Sequence, residues 1–145
     1  MENLELTSGL RYMPVIVDGR DTGRTVNFNP ADQEFAEVLY ELVHKIGQIH
    51  EEKNQLRENE TDLLKKFEIN RAEDAEMRAA VDYVFGEGFS ADVFQTRLFA
   101  LSDGMTVVEN FLFALLDEME ASVTDNIARR DSKLRKYTDK YKKYR

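Results

Sequence analysis

The chain has no cysteine and no tryptophan, and it contains only two prolines and seven glycines among its 145 residues. Without cysteine there is no disulfide, no thiolate metal site and no cysteine nucleophile, so non-covalent packing has to hold the fold. No uncharged apolar run approaches the roughly 20 residues that cross a bilayer, and the N-terminus lacks a basic start followed by an apolar stretch. We therefore expect a cytoplasmic protein without a membrane segment.

Charge is present but unevenly divided. Residues 1–128 contain 11 Lys/Arg and 26 Asp/Glu, whereas residues 129–145 contain nine Lys/Arg and two Asp/Glu. The body therefore carries a net charge of -15 and the tail +7. This division predicts one acidic domain (1–128) followed by a basic, Tyr/Lys-rich helical extension or tail (129–145). A basic end can contact an acidic partner, a nucleic acid or the acidic body of a neighbouring copy.

Residues 11–28 are typical of a β-hairpin. The segments Tyr12–Val17 and Arg24–Phe28 are rich in β-branched and aromatic residues, and they flank turn residues that begin with Asp18-Gly19. Pro14 restricts the first strand to an edge position. Because a two-stranded ribbon alone is marginally stable, we expect this hairpin to pack on helices or to pair with another chain.

Asn29-Pro30 predicts the start of a helix, with Asn29 as the cap and Pro30 in the first helical position. An apolar seam with heptad spacing follows, formed by Phe35, Leu39, Leu42, Ile46 and Ile49. The same register continues through Lys53, Leu56, Glu60, Leu63 and Phe67, where charge dilutes it. We expect the helix to become solvated or to break near Asn59, and the seam to stay open for a partner helix or for self-association.

The second half of the chain predicts more helices. Residues 71–85 are amphipathic and end at Gly86-Glu87-Gly88, and Ser90 can cap a short turn through Phe94. Thr106 opens the most apolar segment, which runs to Ile127 and is expected to form the centre of the core and to continue into the basic tail. The predicted fold is therefore mainly α, a helical bundle with an N-terminal β-hairpin.

Residues that would carry catalysis or bind a metal or cofactor are not apparent. His44 and His50 lie about 120° apart around a helix, so they do not form a metal-binding pair. The carboxylate clusters at 51–52, 73–76 and 117–120 are predicted to lie on solvated helix faces. We therefore expect no enzymatic activity, no catalytic residue, no cofactor and no metal.

The tail contains a pattern suited to binding. Tyr137, Tyr141 and Tyr144 recur at helical spacing among lysines, which is typical first of a solvated helix end, then of a docking surface for an acidic or helical partner, and last of stacking on nucleic acid. The acidic body argues against nucleic acid as the partner. The residues that we predict to bind a protein partner are Leu39, Ile46, Ile49, Leu56, Tyr137, Lys140, Tyr141, Lys143 and Tyr144.

Several segments in order along the chain resemble a family of phage and prophage proteins from Gram-positive bacteria that is associated with tail morphogenesis. The matching stretches are 28–32, 34–36, 76–78, 84–86, 93–94, 100–105, 118–120 and 136–141. The sequence departs from the family's pattern at residues 95–99 and lacks a proline near Thr106. The shared motifs are caps, a glycine stop, core positions and a tail, and they name no chemistry.

The resemblance implies a role in virion assembly in the bacterial host cytoplasm. Its most specific form is a tail assembly chaperone that keeps the long, apolar tape-measure protein, or another tail protein, soluble, and self-association into a homo-oligomer is a competing use of the seam. The 26 acidic residues of the body suggest a different class, an acidic inhibitor or nucleic-acid mimic that binds a host defence protein. Such a mimic needs carboxylates in a line at phosphate spacing, and the basic tail fits it poorly.

Overall fold

The computed structural model describes residues 3–95 and 107–142. Within them a hairpin precedes the helices, in the order β1 (Arg11–Val17), β2 (Arg20–Phe28), α1 (Gln33–Glu58), α2 (Leu63–Phe85), α3 (Phe89–Phe94) and α4 (Val107–Lys142). The structure is 69% helical. The predicted mainly-α fold with an N-terminal hairpin is confirmed.

The hairpin forms because a tight turn joins two strands with one apolar face. Asp18 and Gly19 both have positive φ, 52° and 77°, which is the geometry of a two-residue hairpin turn. The antiparallel register is irregular between Pro14 and Ile16, and there the Thr22 hydroxyl donates to the Val15 carbonyl at 2.7 Å. The hairpin packs on the helices, and β2 begins four residues before its predicted start.

Two arginines of β2 fasten the hairpin to α3. Arg20 donates to the carbonyls of Asp92 and Val93 at 3.4 and 3.1 Å, at the C-terminal end of that short helix. The Arg24 Nε donates to the Asp92 carboxylate at 2.7 Å, and its guanidinium also reaches the Glu87 carbonyl at 3.1 Å. Cationic donors at a helix C-terminus satisfy carbonyls that have no partner within the helix.

The start of α1 differs from the prediction. The cap is Asp32, whose carboxylate accepts from the Glu34 N–H at 3.0 Å, and the helix begins at Gln33. Asn29 instead accepts from the Ala31 N–H at 2.9 Å and forms a turn before the helix. The predicted Asn29-Pro30 start was therefore wrong, because a second capping residue, the acidic Asp32, follows it. At its other end α1 stops at Glu58, so of the two expected outcomes, a solvated helix or a break near Asn59, the structure shows the break.

Helix α2 extends further toward the N-terminus than the predicted segment, which began at residue 71. Asp62 caps it by accepting from the Leu64 N–H at 3.1 Å. The helix ends before Gly86, which has φ at 111°, as the Gly86-Glu87-Gly88 stretch predicts. Ser90 is buried inside α3 and its N–H is bonded to Asp82, so it does not cap that helix. Gly88 precedes α3 in the left-handed conformation.

The core lies where the hairpin, α1, α2, α3 and the first third of α4 meet. The predicted core positions of α4 that are buried are Val108, Leu112, Leu115 and Met119. Phe111 joins an aromatic cluster, with ring centroids 5.6 Å from Phe85 and 5.8 Å from Phe89. Ile127 was expected in the core but is 54% exposed, because α4 has left the body by then. The predicted capping residue Thr106 lies outside the described residues.

In the two described ranges, no helix is both long enough and apolar enough to cross a bilayer.

Candidate functional site

Three of the predicted partner-binding residues lie in the core. Leu39, Ile46 and Ile49 of α1 are buried against the rest of the chain. These side chains therefore pack within the same molecule, where α1 contacts α2 and α4. The expectation that they form an open seam is corrected, since α1 already packs with both long helices.

Leu56 has a different environment from the rest of the seam. It is exposed near the end of α1, and Leu63, Leu64 and Phe67 in the first turns of α2 are exposed as well. The seam thus leaves the core at the tip of the helical hairpin formed by α1 and α2. Exposed apolar side chains at one end of a helical hairpin are typical of contact surfaces.

The predicted residues of the tail fall partly within the described chain. Tyr137, Lys140 and Tyr141 belong to α4, which continues to Lys142 without a break at residue 128. Lys143 and Tyr144 lie outside the described residues. The basic extension is therefore helical as far as Lys142.

A groove that the sequence did not predict lies between the start of α1 and the middle of α4. Its volume is about 600 Å³. The α1 side of the groove is lined by Pro30, Ala31, Asp32, Gln33, Ala36 and Tyr40. The α4 side is lined by Phe113, Leu116, Asp117, Met119, Glu120 and Thr124.

The groove has an apolar floor and an acidic rim. Phe113 and Leu116 are half-buried, whereas Asp117 and Glu120 are exposed beside them. The eleven residue steps from Phe113 to Thr124 correspond to about 16 Å along a helix, which is three turns. This length and polarity suit the apolar face of a short helix with basic residues at its edges.

A second arrangement of polar residues joins α1 to α2. The Glu73 side chain is 0% exposed, and its Oε2 accepts from Arg57 at 2.6 Å while its Oε1 accepts from the His50 Nδ1 at 2.7 Å. Arg57 also donates to Asn54 at 2.7 Å and to Asn70 at 3.1 Å. Asn54 Nδ2 in turn is 3.4 Å from His50 Nε2, so the hydrogen bonds close a ring.

The ring indicates one proton arrangement on His50. If Asn54 Oδ1 accepts from Arg57, its amide nitrogen donates, so His50 Nε2 must accept and Nδ1 must carry the proton given to Glu73. In this arrangement each oxygen of the buried carboxylate accepts a short hydrogen bond. A carboxylate bonded in this way links the two helices. Because it is buried, it is poorly placed for proton transfer to a substrate.

The other carboxylate predictions divide. Glu51, Glu52 and the acidic residues at 117–120 are exposed as predicted, and Glu118 is 3.4 Å from Arg11. Glu73 contradicts the prediction, and Asp74 is half-buried with Arg78 2.8 Å away. Across the described part of the chain, no group of three His, Cys, Asp or Glu side chains is arranged to hold a metal ion.

Local spacing contained part of the signal for both arrangements. Asn54 and Arg57 are three residues apart, as are Asn70 and Glu73, so each pair shares a helix face. In the groove, Ala36 and Tyr40 are four apart, and Phe113 and Leu116 three apart. The spacing does not show which helix faces meet, and that depends on tertiary packing.

Comparisons of the chain with protein-family models, with curated proteins and with solved structures found no match.

Proposed function

We propose that this protein is a phage or prophage tail-morphogenesis factor, a tail assembly chaperone of the host cytoplasm that binds the tape-measure protein. The observation that carries the proposal is the groove between α1 and α4, which leaves an apolar floor open to a partner. The resemblance of the sequence to tail-region phage proteins supplies the class of partner.

The groove chemistry defines the segment that it binds. An amphipathic helix of about three turns places apolar side chains against Phe113 and Leu116, and basic side chains at its edges meet Asp117 and Glu120. Long tape-measure helices need their apolar faces covered until tube subunits assemble around them. A chaperone of this type has to release its client, which suits a short groove with a charged rim.

The test is co-expression with a phage tape-measure protein, followed by affinity capture and measurement of the soluble fraction. Tyr40 lines the groove and is 64% exposed, so Tyr40→Glu puts a charge in the site without disturbing the core. We expect this variant to bind the client at least about tenfold more weakly, as for a contact near the centre of an interface.

The matched control is Tyr83→Glu, because Tyr83 is 92% exposed and is not among the residues that line the groove. It should bind and solubilise the client as the unsubstituted protein does. Equal loss in both variants would remove the groove from the proposal. Failure of the unsubstituted protein to bind or solubilise the tape-measure protein would end the chaperone proposal.

A further inference from the structure

The second half of α4 extends away from the body. Among the α4 residues whose side chains the structure describes, the last buried one is Met119. From Glu120 to Lys136 these residues are exposed, except the half-buried Ser122. The 22 residue steps from Glu120 to Lys142 correspond to about 33 Å of helix. Because most of the stability of a protein helix comes from packing its amphipathic face, a packing partner would stabilise this segment.

This segment has an apolar heptad seam of its own, which begins inside the groove. Its positions recur at alternating spacings of four and three, and they are Leu116, Glu120, Val123, Ile127, Arg130, Leu134, Tyr137 and Tyr141. Ile127 and Leu134 are 54% and 48% exposed, although apolar residues at these spacings are typical of a helix–helix interface. Leu116 and Glu120 also line the groove, so the seam and the groove form one continuous face.

The charges along this face select the direction of pairing. Residues 115–128 contain four acidic residues and no basic one, whereas residues 129–142 contain seven basic and two acidic residues. Two parallel copies would place acidic beside acidic and basic beside basic. Two antiparallel copies place each basic half along the acidic half of the other, within the roughly 8 Å over which charges interact in physiological salt.

The seam also fits an antiparallel register. If the two-fold axis passes between residues 128 and 129, every seam position lies opposite another seam position, with Leu116 opposite 141, Glu120 opposite 137, 123 opposite Leu134 and Ile127 opposite Arg130. A parallel arrangement also aligns the seam but without opposite charges. Charge and register thus agree on the antiparallel one.

We propose that the client-free protein is a homodimer in which the two α4 helices pair antiparallel, with the basic end of each helix entering the groove of the other copy. The interface is isologous, so both grooves are filled at once and the assembly closes at two chains. Because the second α4 covers Leu116 and Glu120, dimer formation and client binding exclude each other. That last consequence rests on the proposed function, whereas the dimer rests on α4 alone.

The dimer is tested without any client. Light scattering coupled to size exclusion, together with sedimentation equilibrium, should give twice the chain mass of 16.9 kDa at micromolar concentration. Leu134→Glu should raise the dimer dissociation constant at least about a hundredfold by placing a charge in the seam. Ser132→Glu adds the same charge two residues away, off the seam, and should leave the dimer intact.

An unsubstituted protein that remains monomeric at micromolar concentration would overturn the proposal, as would equal behaviour of the two variants. Circular dichroism of both variants shows whether the body remains folded. If the monomeric Leu134→Glu protein binds the client, the proposed function stands whatever the outcome for the dimer. The two proposals therefore fail separately.

Cross-linking tests the orientation, and the absence of native cysteine makes single-cysteine variants unambiguous. In the antiparallel dimer, Val123→Cys and Leu134→Cys chains lie opposite each other and should form a disulfide when mixed. Each variant alone should not, because its two thiols are separated by roughly 16 Å along the axis. Efficient cross-linking within either single variant, with no cross-link between the two different variants in the mixture, would show a parallel pair and contradict the proposal.

Discussion

Glu73 is buried, although Glu76 on the same helix is half exposed. It carries its charge with no exposed surface because Arg57 and His50 both donate to it, and Arg57 is anchored by two asparagines. Lys53 and Glu76 join the same two helices at 2.8 Å, but Glu76 is half exposed. Solvent screens that pair, whereas the Glu73 carboxylate depends on its protein partners alone.

Replacing Arg57 with methionine should therefore destabilise the protein by about 3 to 5 kcal/mol, because a buried carboxylate loses its cationic partner. Replacing Lys53 with methionine should cost less than about 1 kcal/mol, since its carboxylate partner remains hydrated. Urea unfolding monitored by circular dichroism measures both. Similar losses for the two variants would mean that the Glu73 ring adds nothing beyond an ordinary surface pair.

The double replacement Arg57→Met with Glu73→Met provides a second measurement. It removes the charge as well as its partner, so it should be at least about 1 kcal/mol more stable than Arg57→Met alone. A further loss of stability in the double variant would show that packing around the two side chains, rather than an unpaired charge, explains the first result.

The sequence could not distinguish Glu73 from Glu76, because both lie on an acidic segment with helical spacing. The difference arises from which face of α2 meets His50 and Arg57 on α1, and that contact spans 16 to 23 residues of chain. The apolar spacing of Leu39, Ile46 and Ile49 was recognised correctly, but spacing does not show whether the partner helix belongs to the same molecule.

At the scale of elements, the hairpin depends on side chains as well as on its apolar face. Val15, Val26 and Phe28 bury one side of it. Arg20 and Arg24 add hydrogen bonds to α3 and to the Glu87 carbonyl just before it. Because a two-stranded ribbon is marginal by itself, these contacts decide how often it opens.

Arg24→Met should lower hydrogen-exchange protection of the β1 and β2 amides about fivefold, equivalent to roughly 1 kcal/mol, since it removes a partly exposed ion pair and a bond to the Glu87 carbonyl. Arg11→Met is the control. Arg11 lies on β1, and its contact with Glu118 is 3.4 Å between half-exposed groups, so protection should change little. If both variants lose the same protection, the Arg24 contacts with α3 are not what holds the hairpin.

The boundaries of the elements show where sequence patterns are weakest. The first two turns of α2 were not predicted, because Leu63, Leu64 and Phe67 point to solvent and give no buried stripe there. Asp62 supplies the missing start signal as a cap. The end of the same helix was predicted correctly, because Gly86 provides a conformation that other residues adopt only with strain.

At the scale of the whole molecule, the main feature is the uneven distribution of charge along the chain. The acidic body and the basic half of α4 belong to one chain, and α4 connects them as a single helix. This arrangement favours contact between unlike ends of two copies. The acidic mimic of nucleic acid remains a competing prediction, and strongly salt-dependent binding to a basic host protein is the measurement that would favour it.

Removing residues 129–145 separates the stability of the body from that of the dimer. Among the α4 residues whose side chains the structure describes, none after Met119 is buried. At low concentration the free energy of unfolding of the shortened chain should therefore fall by less than about 1 kcal/mol. The melting temperature of the full chain should rise with protein concentration, because dimer formation stabilises the folded state by mass action. That of the shortened chain should stay constant over the same range. Thermal unfolding monitored by circular dichroism at several concentrations measures both, and parallel concentration dependence in the two chains would mean that self-association does not involve the basic half of α4.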